Sequence, residues 1–256
     1  MNKMHEKFPC RNQQSPRKVH MYDFPGSIPF TNPCIVGYKG EIGSFLLQGL
    51  LRIMPKASSI WCYDIGATKQ EQLSRLRKAD VVFLCVPIQH TRRWIVDHQS
   101  VFRGNKRLIE QASVKEPILK GLMRPGMRIL SMHLLFRPSA TPNPEDRRVA
   151  FIESPQWRGA DSVIARMTES QPIYYATLQE HDREMAIIQA LTHCVVKALD
   201  QIHSTGRGTS YMSLQIKRLA DRMAAGDPEL YQWIQRNPYA AEAIKLFQNT
   251  LENTPI

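Results

Sequence analysis

Apolar and polar positions alternate in short blocks from about residue 31 to residue 177. Brief apolar runs, typical of buried strands, are followed by stretches with the spacing of an amphipathic helix. Strand–helix alternation is typical of a parallel, doubly wound sheet, so we predict an α/β domain of the Rossmann type. The pattern places strands at 33–37, 58–64, 80–86, 106–111, 127–132, 148–153 and 172–176, and helices at 41–54, 69–77, 90–99, 116–123 and 158–169.

The pattern changes after Leu178, where long amphipathic helices replace the alternation. We predict helices at 179–203, 208–225 and 228–252, separated by glycines and by a Gly-Asp-Pro turn at 226–228. Residues 178–256 should therefore form an all-helical second domain after a Rossmann domain at 31–177. Residues 1–30 are polar, basic and contain proline without periodicity, which is typical of a flexible leader.

Composition narrows the classes of partner. The 256 residues include 34 basic and 23 acidic side chains, a net charge of +11 that suits an anionic substrate and cofactor. We predict no nucleic-acid partner, because no basic stripe with interleaved aromatics and no zinc-finger spacing appears. The longest apolar run, 81–88, is far short of the roughly 20 residues that a membrane span needs, so we predict no membrane partner.

Cysteine usage bears on the compartment and on metals. Five cysteines are an odd number and form no C-x-x-C pair. Three of them fall in predicted buried strands, where cysteine behaves as a small hydrophobe. The sequence therefore predicts a reducing, cytoplasmic location and no metal site.

A glycine-rich turn follows the first predicted strand. Glycines let the backbone approach a dinucleotide pyrophosphate, and the next helix points free N–H groups at it. Asp64 ends the second strand, where a carboxylate would accept hydrogen bonds from the ribose hydroxyls and repel a 2′-phosphate, so we expect NAD as the cofactor. The predicted cofactor-binding residues are Gly37, Tyr38, Gly40, Glu41, Ile42, Gly43, Asp64, Val86 and Pro87.

Polar groups also occur in apolar surroundings farther along the chain. Segments 110–115 and 131–138 follow the fourth and fifth strands, on the side of the sheet where ligands bind. Glu180-His181-Asp182 opens the first long helix, and His193 lies on the same helix face as Asp182. Arg218 and Arg222 are one turn apart on the next helix.

These stretches resemble the prephenate dehydrogenase family, which includes arogenate dehydrogenases and the dehydrogenase half of bifunctional chorismate mutase–prephenate dehydrogenases. The resemblance covers about residues 33–247. It is carried by Ser113-Val114-Lys115, by His133-x-x-Phe136-x-Pro138, by the run from Glu180 to His193 and by Asp227-Pro228-Glu229-Leu230-Tyr231.

The resemblance implies NAD-dependent oxidative decarboxylation of prephenate or arogenate in biosynthesis of the tyrosine type. His133 would accept the proton of the substrate's 4-hydroxyl, and Ser113 would hydrogen-bond both groups. Arg222 would hold a substrate carboxylate with its guanidinium fork. The further substrate-binding residues implied are His193, Lys115, Arg218 and Tyr231. The family's helical domain also implies a homodimer, and the predicted helices carry more apolar surface than one small bundle needs to bury.

The chain departs from the family pattern beside the predicted catalytic histidine. Leu134, Leu135 and Arg137 replace proline, methionine and glycine of the family's histidine loop. Leu214 occupies the position of a second site arginine found in some members, and Tyr38 replaces a turn glycine. These changes leave the substrate open among prephenate, arogenate and a related cyclohexadienyl acid of specialised metabolism.

Two other functions remain possible from the sequence. One is a different two-domain dehydrogenase, such as a hydroxyacid dehydrogenase or an imine reductase. Ser113, His133, His193 and Arg222 together argue against it. The other is a relative that binds NAD without turnover, which Leu134 and Arg137 would permit.

Overall fold

The computed structural model of the protein describes residues 30–54, 60–102, 104–123, 127–157, 159–206 and 208–254. The predicted leader lies outside these residues, apart from Phe30. The first part of the described chain is one seven-stranded sheet in the order β2-β1-β3-β4-β5-β6-β7. Its strands are β1 (Pro33–Val36), β2 (Trp61–Tyr63), β3 (Val81–Leu84), β4 (Arg107–Glu110), β5 (Arg128–Leu134), β6 (Arg148–Ile152) and β7 (Gln171–Tyr175).

Helices cover both faces of this sheet and form most of the described residues after β7. Those of the first part are α1 (Glu41–Ile53), α2 (Lys69–Lys78), α3 (Ile88–His98), α4 (Glu116–Leu119) and α5 (Ala160–Met167). Those of the second part are α6 (Leu178–Met185), α7 (Thr192–Ser204), α8 (Tyr211–Ala224), α9 (Pro228–Gln235) and α10 (Ala240–Asn253). An α/β Rossmann domain followed by a helical domain is confirmed.

The sheet brings the ends of β1 and β3 together at a topological switch point. The chain leaves β1 for β2 on one side and returns to β3 on the other, so a crevice opens beyond the carboxyl ends of β1 and β3. Ligands of open α/β sheets bind in such a crevice. The topology therefore places the glycine-rich turn where a nucleotide belongs.

The prediction of a purely parallel sheet is wrong for one pairing. Strands β5 and β6 are antiparallel, with His133 opposite Ala150. A parallel connection needs a long crossover, usually a helix. The segment between β5 and β6 contains Pro138, Pro142 and Pro144 and forms only a short 3₁₀ turn, so the chain turns back and pairs antiparallel.

Two apolar clusters, one on each face, hold the sheet. Phe30 is 2% exposed and packs edge-to-face against Phe83, so the described chain joins the core before β1 begins. Trp157 and Leu50 belong to the same cluster, whereas Ile95 and Leu108 belong to the cluster on the other face. Burial on both faces explains why the strands read as continuous apolar runs.

The helical part differs from its predicted bounds in two places. The predicted helix 228–252 is wrong as a single element, because α9 ends before Arg236 and α10 begins at Ala240. Pro238 lies between them and cannot continue a helix. The predicted helix 179–203 is confirmed as one helical run, but residues Ala186–Leu191 form a π-helical segment within it. No helix in the described ranges combines the length and the hydropathy that crossing a bilayer would need.

Candidate active site

The glycine-rich turn is built so that two of its glycines cannot be replaced. Gly37 has φ +81°, and a Cβ there would overlap the Cys85 carbonyl at the end of β3. A Cβ on Gly43 would overlap the Gly37 carbonyl oxygen. Gly40 precedes α1 without a side-chain cap, so the first N–H groups of α1, from Glu41 to Gly43, have neither a capping side chain nor an intrahelical acceptor. Within the described residues, the turn therefore presents donors without hydrogen-bond partners at the switch point.

Asp64 lies at the edge of this turn, directly after β2. Its Oδ2 accepts a hydrogen bond from Lys39 N at 2.8 Å, and its Oδ1 accepts one from Ile65 N at 2.8 Å. The carboxylate is thus fixed between the two loops, and its contact with a ribose stays a prediction. Val86 and Pro87 lead from β3 into α3 beside the turn, and Tyr38 and Ile42 pack against the core.

His133 lies one residue before the end of β5 and is 4% exposed. Its Nδ1 is 3.2 Å from His181 Nε2. Burial lowers the pKa of His133 well below its usual value, and His181 and the Lys115 ammonium lower it further. The imidazole is therefore neutral at ordinary pH and can accept a proton.

Asp182 joins α6 to the start of α4. Its carboxylate accepts hydrogen bonds from Lys115 N, at 2.8 and 3.0 Å to the two oxygens, and from Glu116 N at 2.7 Å. An anion at the first free N–H groups of a helix is favourable. Asp182 Oδ1 also lies 2.8 Å from His181 Nδ1, and both side chains are fully buried.

The structure buries the Lys115 side chain completely, contrary to the expectation of a substrate contact. Lys115 is fully buried, and its Nζ donates to Glu110 Oε1 at 2.7 Å and to the Met132 carbonyl at 2.5 Å. Ser131 also donates to Glu110. Because a buried ammonium needs such partners, Lys115 is a structural support beneath His133.

Ser113 lies half-buried after β4, but its hydroxyl makes no hydrogen bond with His133 or with any other described residue. The contact that the family resemblance implied is therefore not formed here. The neighbour that His133 does have is His181. The role of Ser113 stays a prediction.

His193 and Tyr231 are brought together. Their ring centroids are 4.9 Å apart, with the rings close to perpendicular. The Nδ1 atom of His193 is buried and has no hydrogen-bond partner in the described parts of the chain. Burial lowers the pKa of His193, with a smaller effect from Lys197. An unpaired ring nitrogen is consistent with the predicted ligand contact.

Arg218 and Arg222 lie on the exposed face of α8. Neither forms an ion pair within the described residues. The helix packs mainly against α7, and no contact joins either guanidinium to His133. Their proposed role as carboxylate ligands stays a prediction.

Arg137, the replacement for a family glycine, reaches the cofactor turn. Its Nε donates to Glu41 Oε2 at 2.9 Å, and Ser139 N donates to Glu41 Oε1 at 2.9 Å. Phe136 packs edge-to-face on Phe45 of α1. The loop after His133 is therefore held against the first turn of α1, which places the predicted catalytic residue and the nucleotide crevice on one edge of the sheet.

The sequence missed the partners of His133. The sequence predicts Glu180-His181-Asp182 at the start of a helix, with only Asp182 on the face that carries His193. The sequence signal that could have identified these partners is the pair His181 and Asp182, two ionisable residues near the start of the helix that follows the last strand. Asn237 was also missed: it is buried, and its Nδ2 donates to the Asp182 carbonyl at 2.8 Å.

Comparison with solved structures shows the same fold in dehydrogenases. Synechocystis arogenate dehydrogenase is 17% identical, with 86% of this chain and 89% of that chain covered and a TM-score of 0.67. Aquifex aeolicus prephenate dehydrogenase, solved with hydroxyphenyl propionate and NAD⁺, is 18% identical, with 89% and 90% covered and a TM-score of 0.63. A Bacillus cereus imine reductase also matches, at 12% identity, 82% and 77% coverage and a TM-score of 0.52. The fold alone therefore does not separate these activities.

Family models distinguish the prephenate dehydrogenase family from other families with this fold. No curated protein sequence matches the chain. The model described as prephenate dehydrogenase, nucleotide-binding domain, matches residues 57–136, and the model described as prephenate dehydrogenase, dimerization domain, matches residues 177–254. The first match begins after the glycine-rich turn and includes His133. Because the two matches together span more than half of the 256 residues, the chain belongs to the prephenate and arogenate dehydrogenase family.

Proposed function

We propose that this protein is an NAD-dependent dehydrogenase that oxidises and decarboxylates prephenate, arogenate or a related cyclohexadienyl acid in biosynthesis of the tyrosine type. One observation carries the proposal. His133 is a neutral, buried imidazole at the ligand-binding edge of the sheet, and its Nε2 makes no hydrogen bond with a described residue while its Nδ1 contacts His181. A base with one free nitrogen is what proton removal from a hydroxyl requires.

The residues at the switch point fit NAD. The N-terminus of α1 offers uncapped N–H groups to a pyrophosphate, and Gly37 and Gly43 leave no room for side chains between the turn and its neighbours. Asp64 is fixed for the ribose and would repel a 2′-phosphate. When bound, NAD⁺ supplies the acceptor for a hydride from the ring carbon that bears the 4-hydroxyl.

His133 performs the proton transfers. Its Nε2 takes the hydroxyl proton as the hydride, with its two electrons, leaves the same carbon and the carbonyl forms. Loss of the ring carboxylate as CO₂ leaves the bonding electron pair in the ring, which becomes aromatic. His133 then returns the proton to the oxygen of the phenolic product, so atoms and electrons balance.

The anionic groups of the substrate are held by the helical domain in this proposal. Arg222, supported by Arg218, binds a carboxylate through its guanidinium. His193 and Tyr231, which pack together, line the opposite wall. Ser113 bonds the substrate hydroxyl once substrate is present, since its own hydroxyl has no partner among the described residues. The active form is a homodimer built through the helical domain, for which the match to a dimerization domain is the support.

The test is the formation of NADH, followed by absorbance, from NAD⁺ with prephenate and with arogenate in parallel, together with the release of CO₂. We expect one of the two, or a close analogue, to give equal amounts of NADH and CO₂. The proposal is contradicted if the folded protein binds NAD⁺ but forms no NADH with any of these acids.

A second candidate is a relative that binds NAD without turnover. Two observations favour it: Arg137 introduces bulk and charge within the histidine loop, and Arg222 is exposed without a contact to His133. The same assay separates the candidates, because this relative would show NAD⁺ binding by titration but no NADH with any cyclohexadienyl acid.

A further inference from the structure

Three buried side chains are connected by two hydrogen bonds, and the last of them is the proposed base. Asp182 Oδ1 is 2.8 Å from His181 Nδ1, and His181 Nε2 is 3.2 Å from His133 Nδ1. Asp182 and His181 are fully buried and His133 is 4% exposed. This series of hydrogen bonds connects α6 to the end of β5, so it forms only when the two domains are packed together.

The donors around Asp182 determine the direction of the first hydrogen bond. Backbone N–H groups can only donate, and those of Lys115 and Glu116 point at both carboxylate oxygens. Burial raises the pKa of Asp182, whereas these N–H donors and the Lys115 ammonium lower it. With both oxygens already accepting, we assign the carboxylate form, which can only accept. His181 Nδ1 therefore carries a hydrogen and donates it to Asp182.

The second hydrogen bond follows from the first. Burial, with a smaller effect of the Lys115 ammonium, lowers the pKa of His181 to about 2, so its ring is neutral. A neutral imidazole has one N–H, and here it is on Nδ1, which leaves Nε2 as an acceptor. His133 Nδ1 must then donate to His181 Nε2. The lone pair of neutral His133 is therefore on Nε2, the nitrogen left for the substrate.

The surroundings indicate that the proton stays on His133 during the reaction. A second positive charge on His181 would lie in a buried region that already holds the Lys115 ammonium. Glu110 is paired with that ammonium, and the rings of Tyr175 and His181 are nearly perpendicular, with their centroids 5.4 Å apart. His181 is thus suited to receive a hydrogen bond and poorly suited to receive the proton itself.

We propose that Asp182 and His181 are positioning residues that hold His133 as its Nδ1–H tautomer, with Nε2 directed to the substrate as the base. The proposal rests on the proposed function for its catalytic consequence, but the tautomer itself is a property of the protein alone. Neither residue touches the substrate. Their effect is to ensure that nearly every molecule has the lone pair on the reacting nitrogen.

The direct test is nuclear magnetic resonance of protein with ¹⁵N-labelled histidine, where the two ring nitrogens of each tautomer give distinct shifts. The His133 signals are assigned by their loss in His133→Asn. We expect His133 as the Nδ1–H tautomer in the unaltered protein. Finding the Nε2–H tautomer overturns the inference, whatever the activity, whereas the expected tautomer without any NADH formation overturns only the proposed function.

Asp182→Asn should reverse the direction of both hydrogen bonds between Asp182, His181 and His133. The amide NH₂ of the new asparagine donates to His181 Nδ1, so the hydrogen of the His181 ring moves to its Nε2. His181 Nε2 then donates to His133 Nδ1, and the hydrogen of the His133 ring moves to His133 Nε2. We expect the His133 signals to change tautomer and kcat to fall about 10²- to 10⁴-fold, with KM within about threefold. Asp97→Asn, which alters an exposed carboxylate on α3, is the matched control and should change neither. An unchanged tautomer with kcat within threefold overturns the inference.

A pair of substitutions at His181 covers the case in which Asp182→Asn does not fold. Glutamine can place an oxygen near the former Nε2 and still accept from His133, whereas asparagine can reach only Asp182. We expect His181→Gln to retain at least ten times more kcat than His181→Asn. Equal kcat values, or a lower value for the glutamine variant, overturn the proposal.

Discussion

His133 has the two properties that a proton acceptor needs at neutral pH. It is uncharged, because burial and neighbouring groups lower its pKa, and one ring nitrogen makes no hydrogen bond with the described residues. The proposed roles of the individual side chains can be separated by single substitutions, since the proposal assigns binding and chemistry to different residues.

His133→Asn should lower kcat about 10²- to 10⁴-fold, the usual loss for a general base, and leave KM nearly unchanged. In the unaltered enzyme kcat/KM should fall with decreasing pH only well below 6.5, because the neutral form is active and its pKa in the folded protein is lowered. Steady-state kinetics across the acidic range measure both effects. His203→Asn, at an exposed histidine of α7, is the control. An acid limb at or above pH 6.5 would mean that another group is the base.

Arg222→Ala should raise KM for the substrate about 10- to 100-fold, because a charge-assisted contact is worth roughly 1.5–3 kcal/mol. The dissociation constant of NAD⁺ should change little. Lys217→Ala removes a positive charge from the same helix and serves as the matched control. Equal KM values for the two variants would show that Arg222 does not bind the carboxylate.

If Asp64 binds the ribose as proposed, NAD⁺ should bind more tightly than NADP⁺, since the fixed carboxylate would repel a 2′-phosphate. Asp64→Ala should narrow that preference by weakening the binding of NAD⁺ and strengthening the binding of NADP⁺. Calorimetric titration of both nucleotides measures it, with Asp97→Ala as the control. Equal affinities in the unaltered protein would place Asp64 away from the ribose.

The sequence could identify His133 but not what surrounds it. The resemblance of the His133 segment to the family pattern predicted the imidazole. Its contact with His181 joins residues 48 positions apart and depends on how α6 packs on the sheet. Lys115 shows the opposite case. Its motif predicted a site residue, but its long side chain turns inward to Glu110, a choice that only the packed structure reveals.

Elements were predicted best where the apolar pattern was continuous. All seven strands appear within a few residues of their predicted positions, because each is buried and bounded by polar residues. The direction of β6 could not be read from its own residues, since it depends on the connection from β5. The break between α9 and α10 was missed because apolar spacing continues across Pro238, although proline itself was a sufficient signal.

Asn237→Ala should destabilise the protein by about 1–3 kcal/mol, the cost of leaving buried polar groups unpaired. Asn237 is 4% exposed, donates to the Asp182 carbonyl and accepts from Tyr239 N at 2.9 Å, so it joins the α9–α10 break to α6. Denaturant unfolding at fixed protein concentration measures the effect. Asn249→Ala, on the exposed side of α10, should change stability by less than about 0.5 kcal/mol. Similar values for both would show that the junction contributes no stability.

At the scale of the whole molecule, several large apolar side chains of the helical domain are exposed. Ile202, Tyr211, Met212 and Leu251 are each more than half exposed, and all lie on α7, α8 or α10. Such a surface is typical of a subunit interface. The domain also carries His193 and Arg222, so association would shape the cleft as well as bury apolar area.

We therefore expect a homodimer in solution, with a mass by light scattering of about twice the 29.4 kDa of one chain. Ile202→Glu together with Leu251→Glu should reduce the measured mass to that of one chain, because burying two carboxylates in an apolar interface costs more than the interface can offset. Leu51→Glu is the matched control: Leu51 is 55% exposed but lies on α1 of the nucleotide-binding domain, and its substitution should leave the dimer intact. A monomeric mass for the unaltered protein at micromolar concentration would refute the expectation. A dimer that survives the double substitution but not Leu51→Glu would move the interface to the nucleotide-binding domain.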